Sequence, residues 1–320
     1  MIEIISITGP IYVAIALGFL TTRLGLFAKQ DMRVLGSFVV NLALPALLFS
    51  AISQRQLREI FNVSYLLIYA SGSLLTLGIG YWGSRRTGHC GKAESAIVAM
   101  GMSCSNSGYV GYPILLLTLP HVAAVAVALN MMVENLLMLP LLFVLADREI
   151  HAHLPLKAML IASVARLARN PMILAMVAGT FVSFAGWRLP EILTRTSALF
   201  AASSGAVSLF VVGGVLVGNS LHGMVKSAAP ITAGKLFLHP LAVFGAAFLA
   251  SRIGLPALDP KLLSAAILMA AMPMLGIYTI LAHRYGQETK SAAALLLATM
   301  VSFFSLSGLL WLLKISGWLG

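Results

Sequence analysis

One apolar motif occurs twice in this chain, with proline and glycine at the same places. Pro10 to Gly25 reads PIYVAIALGFLTTRLG and Pro171 to Gly186 reads PMILAMVAGTFVSFAG, so Pro10, Gly18 and Gly25 match Pro171, Gly179 and Gly186. Both copies are expected to open an apolar helix. If five membrane crossings separate them, the second half enters the bilayer from the opposite face, and a substrate site is expected where the halves meet at mid-depth. That is the plan of a carrier, and it requires a membrane chain. Composition meets the requirement: of 320 residues, 59% are hydrophobic and 10% are charged, against about 25% charged in soluble domains.

A hydrocarbon core about 30 Å thick takes about 20 apolar residues per helix, with every backbone group bonded inside its own segment. Ten such helices are predicted, near 7–27, 33–53, 62–84, 93–117, 121–146, 170–188, 196–219, 228–250, 261–283 and 290–315. The expected fold is therefore all-α and polytopic. Its organisation is a first five-helix repeat over 1–146, a connecting loop over 147–169 and a second, inverted repeat over 170–320. Ser95, Ala96, Met100 and Tyr109 in the fourth segment meet Ser264, Ala265, Met269 and Tyr278 in the ninth at a constant offset, which echoes the repeat.

Charge orients the chain. Alternate loops hold 13 basic residues on one side, among them Arg23, Lys29, Arg85, Arg86, Arg166 and Lys226, and 7 on the other, among them Arg55, Arg58 and Lys261. The positive-inside rule makes the richer side cytoplasmic and puts both termini on the non-cytoplasmic side of the inner (plasma) membrane. The basic excess thus reflects topology and contact with anionic membrane lipids, not nucleic acid. The opening MIEIISITGPIY carries Glu3 and no basic stretch, so it does not read as a cleaved signal peptide. The spacing of Cys90 and Cys104 supports neither a disulfide framework nor a metal site.

Function is expected where a membrane helix breaks its own rules. The stretch Cys104 to Pro113 puts short polar side chains, Gly108, Gly111 and Pro113 at membrane depth. Proline removes a donor and glycine permits unwinding, so backbone groups there turn to a cavity, and the amino end of a half-helix suits a carboxylate. Ala270 to Thr279 is the counterpart, with Pro273 and Gly276. Interrupted segments at corresponding places in two halves are the sequence pointer to a transport site.

Asn41 to Phe49 (NLALPALLF), the Asn106 to Pro113 break, and Ala271-Met272-Pro273 leading to His283-Arg284-Tyr285 resemble the auxin efflux carrier family, the PIN-like permeases, over nearly the whole chain. The resemblance implies ten helices in two inverted repeats, a scaffold part and a transport part, and crossed broken helices four and nine that form the site. It implies transport of organic anions such as auxin, malate or malonate, and a homodimer through scaffold helices. The crossover asparagine falls on Asn106, the following proline on Pro113 and the first proline of the ninth-helix break on Pro273. Tyr278 stands where plant members often carry a second proline, and their long loop between helices five and six is absent. That leaves a minimal bacterial-type carrier. The fold is shared with bile-acid sodium symporters, so fold alone does not choose the substrate.

The predicted substrate-binding residues are Asn106, Ser107, Gly108, Tyr109, Pro113, Pro273, Gly276, Tyr278 and Asn41. Glu134, beside Asn135 in helix five, is the one carboxylate expected well inside a helix, and intramembrane charge is a functional candidate by default. It is the candidate for coupling to H+ or Na+; uniport without coupling also fits. Lys235 and His239 share a helix face and are candidates for anion attraction, although a lysine near a helix end also snorkels to the headgroups. The glycines at 213, 214 and 218 read as close helix packing.

Three rivals remain at this stage: a sodium-coupled symporter of larger organic anions, a channel, and an intramembrane hydrolase built on Ser203, Ser204, His222 and His239. The hydrolase lacks any spacing that demands a base or an oxyanion hole. The reading that follows is a secondary transporter of small organic anions by alternating access, rocking or elevator-like, with no cofactor.

Overall fold

A computed structural model describes residues 2–54, 62–87, 90–150, 165, 168–219 and 221–318. The 147–169 connection, with His151, His153, Lys157 and Arg166, lies mostly outside them, as do Arg55 and Arg58. Among the described residues the chain is helical throughout, and an isolated antiparallel bridge joins Ser105 to Met274.

The helices are α1 (Ile2–Arg23), α2 (Lys29–Ser53), α3 (Val63–Thr87), α4 (Lys92–Ser103), α5 (Tyr112–Thr118), α6 (Pro120–Asp147), α7 (Pro171–Ala185), α8 (Glu191–Val215), α9 (Val225–Arg252), α10 (Pro260–Ala271), α11 (Tyr278–His283) and α12 (Glu288–Ile315). Among the described residues α2, α3, α6, α8, α9 and α12 are long and apolar enough to cross a membrane alone. Each of the ten predicted stretches holds a helix or, at 93–117 and 261–283, two helices separated by a break. Surface chemistry is inverted relative to a soluble protein: Phe184 is 77% and Phe304 73% exposed, whereas Lys235 is fully buried. Such a surface is stable only against hydrocarbon.

Local chemistry explains the ends. Asn170 caps α7 by accepting the Met172 N–H at 3.0 Å, and Asp259 caps α10 by accepting the Lys261 and Leu262 N–H groups. Each cap is followed by proline at the first helical position, where a missing N–H costs nothing. Pro171 therefore opens its helix as expected. Pro10 does not: it lies inside α1, because no cap stands before it and the apolar residues from Ile2 continue the helix. Gly25 and Gly186 both adopt the left-handed conformation after their helices, with φ of 80° and 62°.

The chain divides into two compact units. The first comprises Met1–Val63, Ser107–Met132 and Arg166–Val217; the second comprises Ser64–Asn106, Val133–Ala165 and Gly218–Gly320.

In the first unit α1 packs on α8, and α7 on the second half of α2. A Cβ on Gly18 would collide with the Phe210 carbonyl, and one on Gly213 with the Ile15 carbonyl, so a glycine on each helix lets the backbones touch. Gly179, the second copy of Gly18, does the same for α7: a Cβ there would stand 3.1 Å from the Phe49 carbonyl oxygen. The matched glycines of the repeat thus make matched close contacts. Replacing Gly213 by alanine is expected to cost about 1–3 kcal/mol through overpacking. A lowered melting temperature in detergent, recovered by no enlargement elsewhere, is the check.

In the second unit α4 packs on the later part of α6, the first half of α9 on α12, and the second half of α9 on α10. Ser95, Ala96 and Met100 and their repeat partners Ser264, Ala265 and Met269 are all fully buried there.

Four π turns interrupt the described helices: Val39–Ala43 in α2, Ser107–Gly111 before α5, Val133–Met138 in α6 and Gly234–Leu238 in α9. Each ends two residues before a proline, respectively Pro45, Pro113, Pro140 and Pro240. A proline in the α register would thrust its ring at the carbonyl four residues back, and one extra residue in the turn relieves the clash. The carbonyl four residues before Pro113, that of Tyr109, accepts the Ser208 hydroxyl at 2.9 Å instead.

Candidate functional site

α4 ends at Ser103 and α10 at Ala271, and in the second unit the stretches that follow run against each other. The Asn106 N–H donates to the Pro273 carbonyl at 2.8 Å, beside the Ser105–Met274 bridge. Two helix C-termini therefore finish at one short antiparallel contact, where backbone groups leave the helical ladder without being orphaned. Asn106 is 3% exposed. Gly276 faces it: a Cβ there would lie 3.7 Å from Asn106 Nδ2 with nothing closer, so the glycine keeps room beside the amide.

Beside this junction lies a polar network. Lys235 Nζ donates to Ser105 Oγ at 2.8 Å, to His239 Nδ1 at 2.8 Å and to the Ala270 carbonyl in the last turn of α10. An ammonium at a helix C-terminus meets the negative end of the dipole. With Lys235 as an ammonium its three hydrogens find three acceptors, and in that state Nδ1 of His239 accepts and Nε2 donates to Ser73 Oγ, 2.9 Å away. Ser105 also meets Tyr69 Oη at 3.1 Å, and the Tyr69 ring lies against His239 and stacks on Tyr65. The Ser105 N–H donates to Glu134 Oε1 at 2.9 Å. Among the described residues Glu134 is the one buried carboxylate and Lys235 the one buried ammonium. Ser105 joins them, taking the ammonium on its hydroxyl and offering its amide to the carboxylate.

The second unit thus brings together Asn106, Pro273, Gly276, Glu134, Lys235 and His239 from the predicted set, and Asn135 is buried next to Glu134 in the same π turn. Tyr278 is there too, but fully buried, with its hydroxyl donating to the Ile97 carbonyl at 3.0 Å through the gap that Gly101 leaves. Lys235 does not snorkel. It sits within the π turn, midway along α9, so the helix end is out of reach.

The remaining predicted residues belong to the first unit. Ser107 accepts from Asn130 Nδ2 at 3.1 Å, and Tyr109 donates to the Gly36 carbonyl at 3.0 Å. A Cβ on Gly108 would strike Leu44 and Met131. Pro113 is buried, while Asn41 is exposed and turns its amide to Ser37 on its own helix. Ser203 and Ser204 each donate to a carbonyl of their own helix, at 2.6 Å.

Sequence reasoning passed over Ser105, Tyr69 and Ser73. Ser105 stood inside the flagged break, and Tyr65, Tyr69, Ser73 share one face of α3 at four-residue spacing. That periodic polar stripe in an apolar helix was the available signal. Away from the network, Glu94 at the start of α4 pairs with Lys290 at 3.1 Å. The nearby Cys90 thiol is pushed above its usual pKa, by burial first and by Glu94, with Lys290 acting the other way.

Comparison with known proteins gives a consistent result. A family model described as "Membrane transport protein" matches residues 4–312. The chain is 30% identical to a protein of Rhizobium meliloti (strain 1021) named "Putative malonate transporter", over 98% of this chain and 97% of that one. It is 25% identical to "Uncharacterized transporter YfdV" of Escherichia coli (strain K12), over 92% of each. A 106-residue stretch is 29% identical to an "Uncharacterized transporter" of Methanothermobacter thermautotrophicus, covering 32% of this chain and 34% of that one.

Proposed function

The chain belongs to the membrane transport protein family to which the auxin efflux carrier resemblance pointed, so it is a multi-pass transporter and not an enzyme, and on that premise we propose that it carries small carboxylate anions of the malonate type. The observation that carries this reading is the junction of the two helix breaks. Asn106, held by its own backbone bond to Pro273, places its side-chain amide beside the room left by Gly276. A buried amide donor is suited to a carboxylate oxygen. The substrate class draws on the 30% identical relative named for malonate.

Transport proceeds by alternating access, in a rocking or elevator-like movement. The division into two compact units supports that mechanism over a channel. The matched contacts of Gly18 and Gly179 and the matched burial of Ser95, Ala96 and Met100 with Ser264, Ala265 and Met269 support an inverted repeat, and the breaks after Ser103 and Ala271 support broken helices four and nine.

Lys235 argues against sodium coupling. The resident ammonium engages the Ser105 hydroxyl and the Ala270 carbonyl, the oxygens beside the junction that an external cation would otherwise take. Coupling to protons through Glu134, or uniport, is the reading that remains.

The test is flux of labelled malonate, beside a panel of other labelled mono- and dicarboxylates, in proteoliposomes under imposed pH, sodium and potential gradients. Saturable flux independent of sodium is expected. Flux that requires sodium would favour the symporter reading, and no flux of any mono- or dicarboxylate would overturn the substrate class.

A further inference from the structure

Among the described residues the buried carboxylate and the buried ammonium of the second unit both sit in π turns, and both turns are followed by proline. Lys235 lies five residues before Pro240, and Glu134 six before Pro140. We propose that Pro240 and Pro140 are the positioning residues of the candidate site: each holds one extra residue in its helix, and that extra residue aims the charged side chain at Ser105. The inference rests on the carrier reading only for its consequence in transport.

The geometry is clearest in α9. The His239 N–H bonds back five residues to the Gly234 carbonyl, which is the π register. Were Pro240 replaced by a residue with an N–H, that donor could claim the Leu236 carbonyl four residues back, and the turn could close to the α register. One surplus residue is then absorbed by rotating one half of the helix about 100° against the other, at 3.6 residues per turn. Neither half has room to rotate. The first packs on α12 and the second on α10, and Lys235 stands in the turn between them with contacts to α10 and to Ser105. Pro240 thereby reconciles two helix faces that an uninterrupted α-helix cannot present together.

Proline alone does not produce the effect. Pro230 lies inside the first half of the same helix with no π turn before it. It stands five residues from Lys235, as Pro240 does, and so supplies an internal control.

The experiment is a double-variant cycle read by thermal unfolding in nanodiscs. The variants are Pro240→Ala, Lys235→Met and both together, beside Pro230→Ala alone and with Lys235→Met. Pro240→Ala is expected to lower the melting temperature by about 5 °C and Lys235→Met by about 10 °C. The Pro240→Ala/Lys235→Met protein is expected to lose no more than the larger single loss, because the proline acts through the lysine, while the Pro230 pair adds. A Pro240→Ala protein that melts with the wild type, or losses that sum in the double variant, overturns the proposal. Should Pro240→Ala not accumulate as folded protein, Pro140→Ala with Glu134→Gln carries the same test under the same criterion. No substrate enters the measurement, so its failure and a failure of the malonate assay are separable.

Discussion

Alanine at Asn106 is expected to weaken malonate binding roughly 10- to 100-fold while the protein still folds. The residue does two separable jobs. Its backbone N–H ties the two breaks by donating to Pro273, and alanine keeps that bond. Its side-chain amide stands beside the room left by Gly276, and alanine removes it. A hydrogen bond to a charged group is worth about 1.5–3 kcal/mol, so apparent affinity should fall roughly 10- to 100-fold. Asn106→Asp keeps the shape and replaces a donor with negative charge, so its loss should exceed that of alanine. Equilibrium binding of labelled malonate to purified protein, alongside melting curves, provides the check. Unchanged affinity in Asn106→Ala would move the substrate away from the junction.

Lys235→Met has the largest expected effect on stability. Methionine fills nearly the same volume but leaves Ser105 Oγ, His239 Nδ1 and the Ala270 carbonyl without their donor and Glu134 without the neighbouring positive charge. Breaking a buried charge arrangement by removing one member costs about 3–5 kcal/mol. Replacing Glu134 by glutamine in the same protein should return part of that loss, since the carboxylate is then no longer uncompensated. A melting temperature unchanged by Lys235→Met would mean that water or a neighbouring donor already serves those acceptors.

Much of the fold was legible because membrane helices announce themselves. The apolar stretches around Lys29–Ser53 and Glu288–Ile315 need no tertiary information, and glycines 213 and 214 signalled close helix packing, while Gly18 and Gly179 were marked only as matched positions of the repeat. Helix ends were less legible. The predicted start at 196 fell short of Glu191 because Glu191, Thr194 and Arg195 look like loop, yet Glu191 and Arg195 pair one turn apart and extend the helix.

The site was half legible. The breaks at Asn106 and Pro273 were visible in composition, but Lys235 read as a residue reaching for the headgroups because its depth was judged from one helix. Beside His239 on its own helix, what holds it is Ser105, just past the end of α4, and the Ala270 carbonyl of α10, and such long-range partners leave no periodicity in α9. Pro140 and Pro240 were invisible for a related reason: in an apolar run a proline suggests a kink, and nothing local distinguishes a kink from a widened turn.

Those widened turns have a consequence for how relatives of this chain can be aligned. A π turn is a single-residue insertion that preserves the helix and shifts its reading frame. A relative that has lost Pro240 but kept the length between the positions of Gly234 and Pro240 would be out of frame with its own packing. Loss of the proline should therefore travel with a one-residue gap in that interval, and the same holds between Val133 and Pro140. Gaps are conventionally expected in loops; here the informative ones would fall in the middle of transmembrane helices.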